Sequence, residues 1–297
     1  MYYTHEAADM ADGRRSMSGY LKRAAVVEDL SGYGRCALTI ALPVLAVSGI
    51  ETVPMPTAVL SSHMGLPDPA VTDLTDSLLP AANQYHRLGV DFDGVYVGYL
   101  AGEHQLDVVR QMLPLLRQAD TLFLLDPVMG DHGRLYRSVT PLMAEKMQDL
   151  CREAHILTPN MTEAAALLGQ PLDFVDTPEK AAEAAEALCR NGAKTVIVTG
   201  VRIDGRIGAM IARQGQSGTR YVSAPCEAGA FHGTGDLFAS VLLAGLLNGE
   251  DMVQAVQLAV DFVARCVART AEAGTAPAGG LLFEPELPYL GTAVKAR

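Results

Sequence analysis

The chain has 297 residues, a formal charge of −11, 49% hydrophobic residues and 19% charged ones. It is long enough for one large α/β domain or two small ones, and too apolar to stay unfolded. So acidic a chain is a poor match for nucleic acid, whose phosphate backbone wants clustered Lys and Arg. Small anions remain open, because a few backbone N–H groups can hold a phosphate inside an acidic protein.

Five cysteines (Cys36, Cys151, Cys189, Cys226 and Cys266) form no C-x-x-C pair, and their number is odd. That argues against a disulfide framework or a zinc ribbon and favours a reducing compartment. No apolar run reaches membrane-spanning length. Residues 1–22 have no apolar centre and are expected to be a mobile leader instead of a secretory signal, with residues 23–297 forming a single domain.

From Arg23 onward, short apolar runs predict strands at Ala24–Glu28, Thr52–Met55, Gly94–Val97, Thr121–Leu125, His155–Leu157 and Thr195–Thr199. Amphipathic stretches between them predict helices at Pro69–Leu88, Glu103–Gln118, Thr140–Cys151 and Thr177–Asn191. Such alternation implies βαβ units and a mostly parallel sheet with helices on both faces. Ile207–Ile211 and Thr219–Ser223, separated by Gly215 and Gly218, predict an antiparallel hairpin at the sheet edge. Two helices, Thr234–Leu247 and Asp251–Thr270, then close the chain, and the Gly- and Pro-rich tail Ala271–Arg297 is expected to wrap the surface.

Ligands of such sheets sit beyond the carboxyl ends of the strands. The residues expected there are Asp29, Ser31, Thr57, Ser62, His63, Tyr99, Asp126, Asp131, Thr158, Asn160, Glu163 and Thr199, a set rich in acids and hydroxyls without a Lys.

Three motifs carry chemistry. In Phe231-His232-Gly233-Thr234-Gly235-Asp236 two glycines precede an apolar helix. The N–H groups at such a helix start suit a transferring phosphoryl group, and Asp236 in the first turn can take a proton from an attacking hydroxyl. The plainer alternative is a capped helix with Thr234 as N-cap. In Asp126-Pro127-Val128-Met129-Gly130-Asp131, two carboxylates on one tight loop can orient hydrated Mg²⁺ beside nucleotide phosphates; a Pro/Gly turn would also explain them. In Thr158-Pro159-Asn160-Met161-Thr162-Glu163, Asn160 and Glu163 either complete a capping box or hold a phosphate and a metal-bound water.

Taken together, the D-P-V-M-G-D loop, the T-P-N-x-x-E turn and the late G-T-G-D helix start resemble the ribokinase-like kinases. Asp29-Leu30-Ser31-Gly32-Tyr33-Gly34-Arg35-Cys36 and Pro56-Thr57-Ala58-Val59-Leu60-Ser61-Ser62-His63 extend the resemblance to the vitamin B6 kinase branch, from Ala24 to Thr270. The resemblance implies a three-layer α/β/α sandwich with an antiparallel edge. It implies ATP-dependent phosphorylation of the 5′-hydroxymethyl group of pyridoxal, pyridoxine or pyridoxamine, in vitamin B6 salvage, by a cytoplasmic homodimer. Asp236 would be the catalytic base, and Gly233, Thr234 and Gly235 the anion hole. Asp126, Asp131, Asn160 and Glu163 would surround Mg-ATP, with Mg²⁺ at Asp126, Asp131 and Glu163. Thr158 and Thr199 would line the nucleotide site and a K⁺-type cation site, and Tyr136 would be a lid residue. The vitamin ring would lie among Asp29, Thr57, His63 and Tyr99, next to Asp236. The chain departs from the branch at Asp29, where several members have Ser, and at Met64, where many have Thr. That bears on the preferred vitamer.

Other functions share parts of this pattern. A hydroxymethylpyrimidine kinase performs the same chemistry, though many such kinases have Cys where Asp236 stands. A non-catalytic vitamer-binding protein would not need Asp236 or the Asp126/Asp131 loop intact. The G-x-G-x-x-A spacing of Gly32 to Ala37 imitates a dinucleotide fingerprint, but Glu51, the acid at the expected distance, falls at the wrong end of its strand. Gly192-Ala193-Lys194-Thr195 lacks the Gly-Lys pair of a phosphate loop and is expected to be a turn.

Overall fold

In a computed structural model, the described residues are 21–137, 139–225, 231–275 and 277–294. Most of the expected leader (1–20) and Cys226 therefore lie outside them. Eleven strands and nine α-helices follow one another among the described residues. The strands are β1 (Lys22–Tyr33), β2 (Ile50–Ser62), β3 (Val71–Asp73), β4 (Gly94–Val97), β5 (Leu122–Leu125), β6 (Gly130–Asp131), β7 (Arg134–Leu135), β8 (Ile156–Leu157), β9 (Thr195–Ile203), β10 (Arg206–Arg213) and β11 (Arg220–Pro225). The helices are α1 (Leu38–Val47), α2 (Thr75–Leu88), α3 (Glu103–Leu116), α4 (Pro141–Glu153), α5 (Met161–Leu167), α6 (Pro178–Arg190), α7 (Thr234–Leu247), α8 (Met252–Ala273) and α9 (Leu287–Ala293).

Nine strands form one sheet in the order β11-β10-β9-β8-β5-β4-β1-β2-β3. The inner pairs β2–β1, β1–β4, β4–β5, β5–β8 and β8–β9 are parallel, and both edges are antiparallel. Chain order reverses between β1 and β4, and the crevice at such a reversal is where doubly wound sheets bind ligands. One apolar layer joins the sheet to α2–α6; the other joins it to α1, α7 and α8. The three-layer α/β/α reading is therefore the observed fold.

Several boundaries move. β1 and β2 run well past the expected strands, so Asp29, Ser31, Thr57 and Ser62 lie inside strands and not beyond their ends. β1 also begins at Lys22, the last residue of the expected leader. The first part of Pro69–Leu88 is not helical: β3 adds to the β2 edge and α2 starts only at Thr75. The expected edge hairpin is present, and β10 also pairs antiparallel with β9. The tail does more than wrap the surface. It forms a third late helix, α9, and buries Leu281, Phe283, Leu290 and Val294 in the layer of α1, α7 and α8.

Candidate active site

The start of α7 determines the site. Gly233 caps the helix in the left-handed conformation, with φ 86°. A side chain there would also collide with the Arg35 carbonyl, 2.3 Å from where its Cβ would stand, so only glycine fits. Thr234 is the first helical residue and not the N-cap, and Gly233, the N-cap, has no side chain with which to cap the helix. The capped-helix alternative with Thr234 as N-cap is therefore not what forms, and first-turn N–H groups of this kind are suited to an anion.

Asp236, in that first turn, accepts a hydrogen bond from the Ala37 backbone N–H at Oδ2, 2.8 Å away. Ala37 itself is the N-cap of α1 at φ 46° and ψ −129°, a strained conformation for a residue with a side chain. Two helix starts therefore converge on one carboxylate. Burial, and after it the neighbouring Asp29 charge, raises the Asp236 carboxyl to about 6, against the lowering pull of the Ala37 bond.

Asp126, just past β5, is buried and accepts from the Thr158 hydroxyl at 3.1 Å through Oδ1. Its Oδ2 lies 3.6 Å from the point where a Gly235 Cβ would stand, so it faces the helix start. Burial and then the Asp236 charge push its carboxyl upward. Asn160 and Glu163 form a complete capping box on α5. Glu163 Oε2 accepts from Asn160 N at 2.8 Å and Oε1 from Met129 N at 3.0 Å, so this buried carboxyl also fixes the loop after β5. The Asn160 amide donates to the Gly130 carbonyl at 2.8 Å, and Thr199 bridges Asn160 in parallel fashion. Asp131 stands exposed on the β6–β7 hairpin, bonded to His132 N, with the half-exposed Tyr136 just beyond.

This donor set suits Mg²⁺, a hard cation that takes one or two carboxylates and completes its shell with water and phosphate oxygens. Asp126 Oδ2 faces the site and Asp131 is accessible. Glu163 has both oxygens engaged by backbone N–H groups, and would reach a metal only through water. Among the described residues no group of three or more His, Cys, Asp or Glu forms a closed metal cage.

On the acceptor side, a bulge sets Thr57 and Ala58 of β2 against the single residue Asp29 of β1. Bulges re-aim side chains, and this one brings Asp29 and Thr57 together. Asp29 is buried, accepts from the Ser31 hydroxyl at 2.7 Å, and is raised by burial. The Thr57 hydroxyl is fully buried and has no hydrogen-bond partner among the described residues. Tyr99 is half-buried just after β4. His63 is placed differently from expectation. Its Nδ1 accepts from Gly65 N at 3.1 Å, so Nε2 carries the proton and donates to the Ala278 carbonyl at 3.1 Å. Its ring also packs against His232, with centroids 4.4 Å apart. His63 ties the β2 loop to the tail, and both nitrogens are occupied.

Three relevant groups escaped the sequence reading: Ala37 as a donor to Asp236, Ala278 as the partner of His63, and the fully buried Glu28. Only Glu28 left a signal, an acid closing an otherwise apolar strand run.

The sheet, the helix-start anion site and the carboxylate beside it define a phosphotransferase that acts on an alcohol group. Residues 68–279 match the family model of the phosphomethylpyrimidine kinases. A pyridoxine/pyridoxal/pyridoxamine kinase from Bordetella avium is 30% identical over 82% of this chain and 84% of that protein. A Caenorhabditis elegans relative is 32% identical, but the match covers 56% of this chain and 53% of that protein. A Bacteroides thetaiotaomicron crystal form with pyridoxal superposes with a TM-score of 0.86 at 34% identity, covering 91% of this chain and 96% of that one. The pyridoxal kinase of Lactobacillus plantarum gives 0.83 at 29% identity, over 91% and 96%. The chain belongs to this family of ribokinase-like kinases, in which the pyridoxal kinases fall.

Proposed function

We propose that the chain transfers the γ-phosphoryl group of ATP to the 5′-hydroxymethyl group of a B6 vitamer. The observation that carries this reading is Asp236, raised to about 6 and held by Ala37 at the mouth of the α7 anion site. A carboxylate of that basicity is mostly ionised at neutral pH and suffices as base for a loose phosphoryl transfer. Likeness to the Bacteroides protein crystallised with pyridoxal supports a B6 vitamer as acceptor.

In this reading the acceptor hydroxyl donates its proton to the outer oxygen of Asp236, while Oδ2 stays on Ala37 N. The N–H groups of Thr234, Gly235 and Asp236 receive the transferring phosphoryl oxygens. Asp126 and Asp131 would hold Mg²⁺, which neutralises phosphate charge when bound. Asn160, Glu163, Thr158 and Thr199 shape the nucleotide side, with Tyr136 above it, and Asp29, Thr57 and Tyr99 border the ring. His63 acts by closing the β2 loop against the tail. Residues 23–297 would act as one domain, in the cytoplasm and as a homodimer, with a monovalent cation near Thr158 and Thr199.

A second reading, hydroxymethylpyrimidine as acceptor, is favoured by the family model and by an Aquifex aeolicus hydroxymethylpyrimidine/phosphomethylpyrimidine kinase, 25% identical over 61% of this chain. Incubation with Mg-ATP and each of pyridoxal, pyridoxine, pyridoxamine and hydroxymethylpyrimidine tests both. The expected products are the 5′-phosphates of the B6 vitamers. A phosphorylated pyrimidine as the main product would transfer the assignment to the second reading, and no product from any acceptor would refute both.

A further inference from the structure

Glu28 is fully buried, and among the described residues neither carboxyl oxygen closes a well-formed hydrogen bond, though the Tyr96 hydroxyl acts on it as a donor. It lies at the carboxyl end of β1, at the reversal of strand order, and its Oε1 is 2.2 Å from where a Cβ on Gly98 would stand. Gly98 follows β4, so the side chain fills the gap between the two central strand ends, and only a glycine opposite leaves room for it.

The register shows what lies above it. On β4, Gly94 packs against Leu243 and Leu247 of α7. Two residues along a strand cover about the same rise as a little over one helical turn. Going up the sheet, Tyr96 therefore comes level with Ser240, and Gly98 with Asp236. The Tyr96 hydroxyl and the Ser240 hydroxyl are also buried without a completed hydrogen bond. By this register Glu28, Tyr96 and Ser240 fall at neighbouring heights in an otherwise apolar layer, with Ser240 about one turn along α7 from Asp236. Buried polar groups are rarely left so, and a cluster of them under an active site calls for a role.

We propose that Glu28 is a positioning residue for phosphoryl transfer: with Tyr96 and Ser240 it forms a buried polar seat that sets the height of the α7 start, and through it Asp236. This rests on the reading of Asp236 as the base. Burial first, and then the charge of Asp236, keep the Glu28 carboxyl well above the usual carboxylate range against the lowering pull of the Tyr96 hydroxyl, with Asp29 and Asp126 adding to the rise. Neutral Glu28 has an O–H donor and acceptor oxygens to set against the Tyr96 hydroxyl beside it, which can both give and take. An ionised one would put a second negative charge beneath the anion site, where it would oppose the phosphoryl oxygens. The pair is thus divided: Asp236 ionises and Glu28 does not.

The test is steady-state kinetics of Glu28→Met and Glu28→Gln beside Asp236→Asn. Glu28→Met removes the polar group at similar volume, and kcat should fall by about 30-fold, with KM for ATP and acceptor within about threefold and no loss of thermal stability. Glu28→Gln, which stays neutral and polar, should keep kcat within about threefold of the parent. Parent-like kcat in Glu28→Met, or equal losses in the Met and Gln variants, would overturn the proposal. Should Glu28→Met not fold, Tyr96→Phe replaces it: kcat should drop about fivefold at constant KM, and an unchanged kcat overturns the proposal. An active Asp236→Asn would instead strike the reading of the base, so the two failures are distinguishable.

Discussion

The backbone N–H of Ala37 and the carboxylate of Asp236, 199 positions apart in sequence, are joined by a 2.8 Å hydrogen bond. It links the cap of α1 to the first turn of α7 through Oδ2. Ala37 holds this contact from a strained conformation, and burial raises the Asp236 carboxyl in spite of the lowering pull of the bond.

Asp236→Asn should lower kcat by about 10²- to 10⁴-fold, the usual contribution of a general base, with nucleotide affinity changed only a few-fold. A carboxyl raised on folding destabilises the fold wherever it must ionise, that is, increasingly as pH rises from its unfolded value through about 6. The Asn variant should therefore be more stable at neutral pH, on the order of 1–2 kcal/mol. Thermal melts at pH 7 check the sign.

The same carboxyl sets a pH profile. The base works ionised, so kcat/KM for the acceptor should decline as pH falls below about 6. Pyridine acceptors titrate on their own, and the limb must therefore persist in kcat measured at saturating acceptor.

Ala37→Gly removes the steric cost of a positive φ. It should stabilise the fold by about 1 kcal/mol, since such strain is worth 1–3 kcal/mol and glycine returns part of it as chain entropy. Denaturant unfolding measures this, and a destabilised variant would contradict the strain.

Much of this was legible in the sequence, and the reasons for success and failure are local. Gly94–Val97 and Thr234–Leu247 were located to the residue, the first as a short all-apolar run and the second by its paired glycines. The expected β1 and β2 are too short because Asp29, Pro56 and Thr57 look like strand breakers. Pro56 instead pairs in register with Glu28, a bulge takes up Asp29 against Thr57 and Ala58, and pairing with β3 extends the edge. Glu163 was ambiguous between cap and metal site, and the capping box with the extra bond to Met129 shows that it organises the loop. The Ala37–Asp236 contact has no signature in either segment, because it depends on how two distant helices pack.

The two kinds of carboxylate at the nucleotide side should therefore separate on mutation. Asp126→Ala should raise the Mg²⁺ concentration needed for half-maximal activity while leaving the melting temperature within a few degrees. Glu163→Ala strips partners from two backbone N–H groups and should cost about 2–3 kcal/mol of stability. Metal titrations alongside melts decide it; a stable Glu163→Ala with a raised Mg²⁺ requirement would mean that the carboxylate serves the metal first.

Asp29 should favour the amine or alcohol vitamers over the aldehyde, by accepting a hydrogen bond from a protonated ring nitrogen or amine arm. Asp29→Ser should lower kcat/KM for pyridoxamine more than for pyridoxal, by about 1–2 kcal/mol, as for one charge-assisted hydrogen bond. Equal losses would make Asp29 a loop-positioning residue, through its bond to Ser31.

The most direct measurement of the central claim is the ratio of kcat/KM for pyridoxal to that for hydroxymethylpyrimidine, with Mg-ATP held saturating and the product identified by mass. Both acceptors offer a hydroxymethyl group on a flat nitrogen ring, so the ratio isolates recognition of the acceptor from phosphoryl transfer. A ratio above about 10² is expected, because polar groups built to pair with ring substituents reject an analogue that lacks them. A ratio below one would contradict the B6 assignment and leave only the kinase.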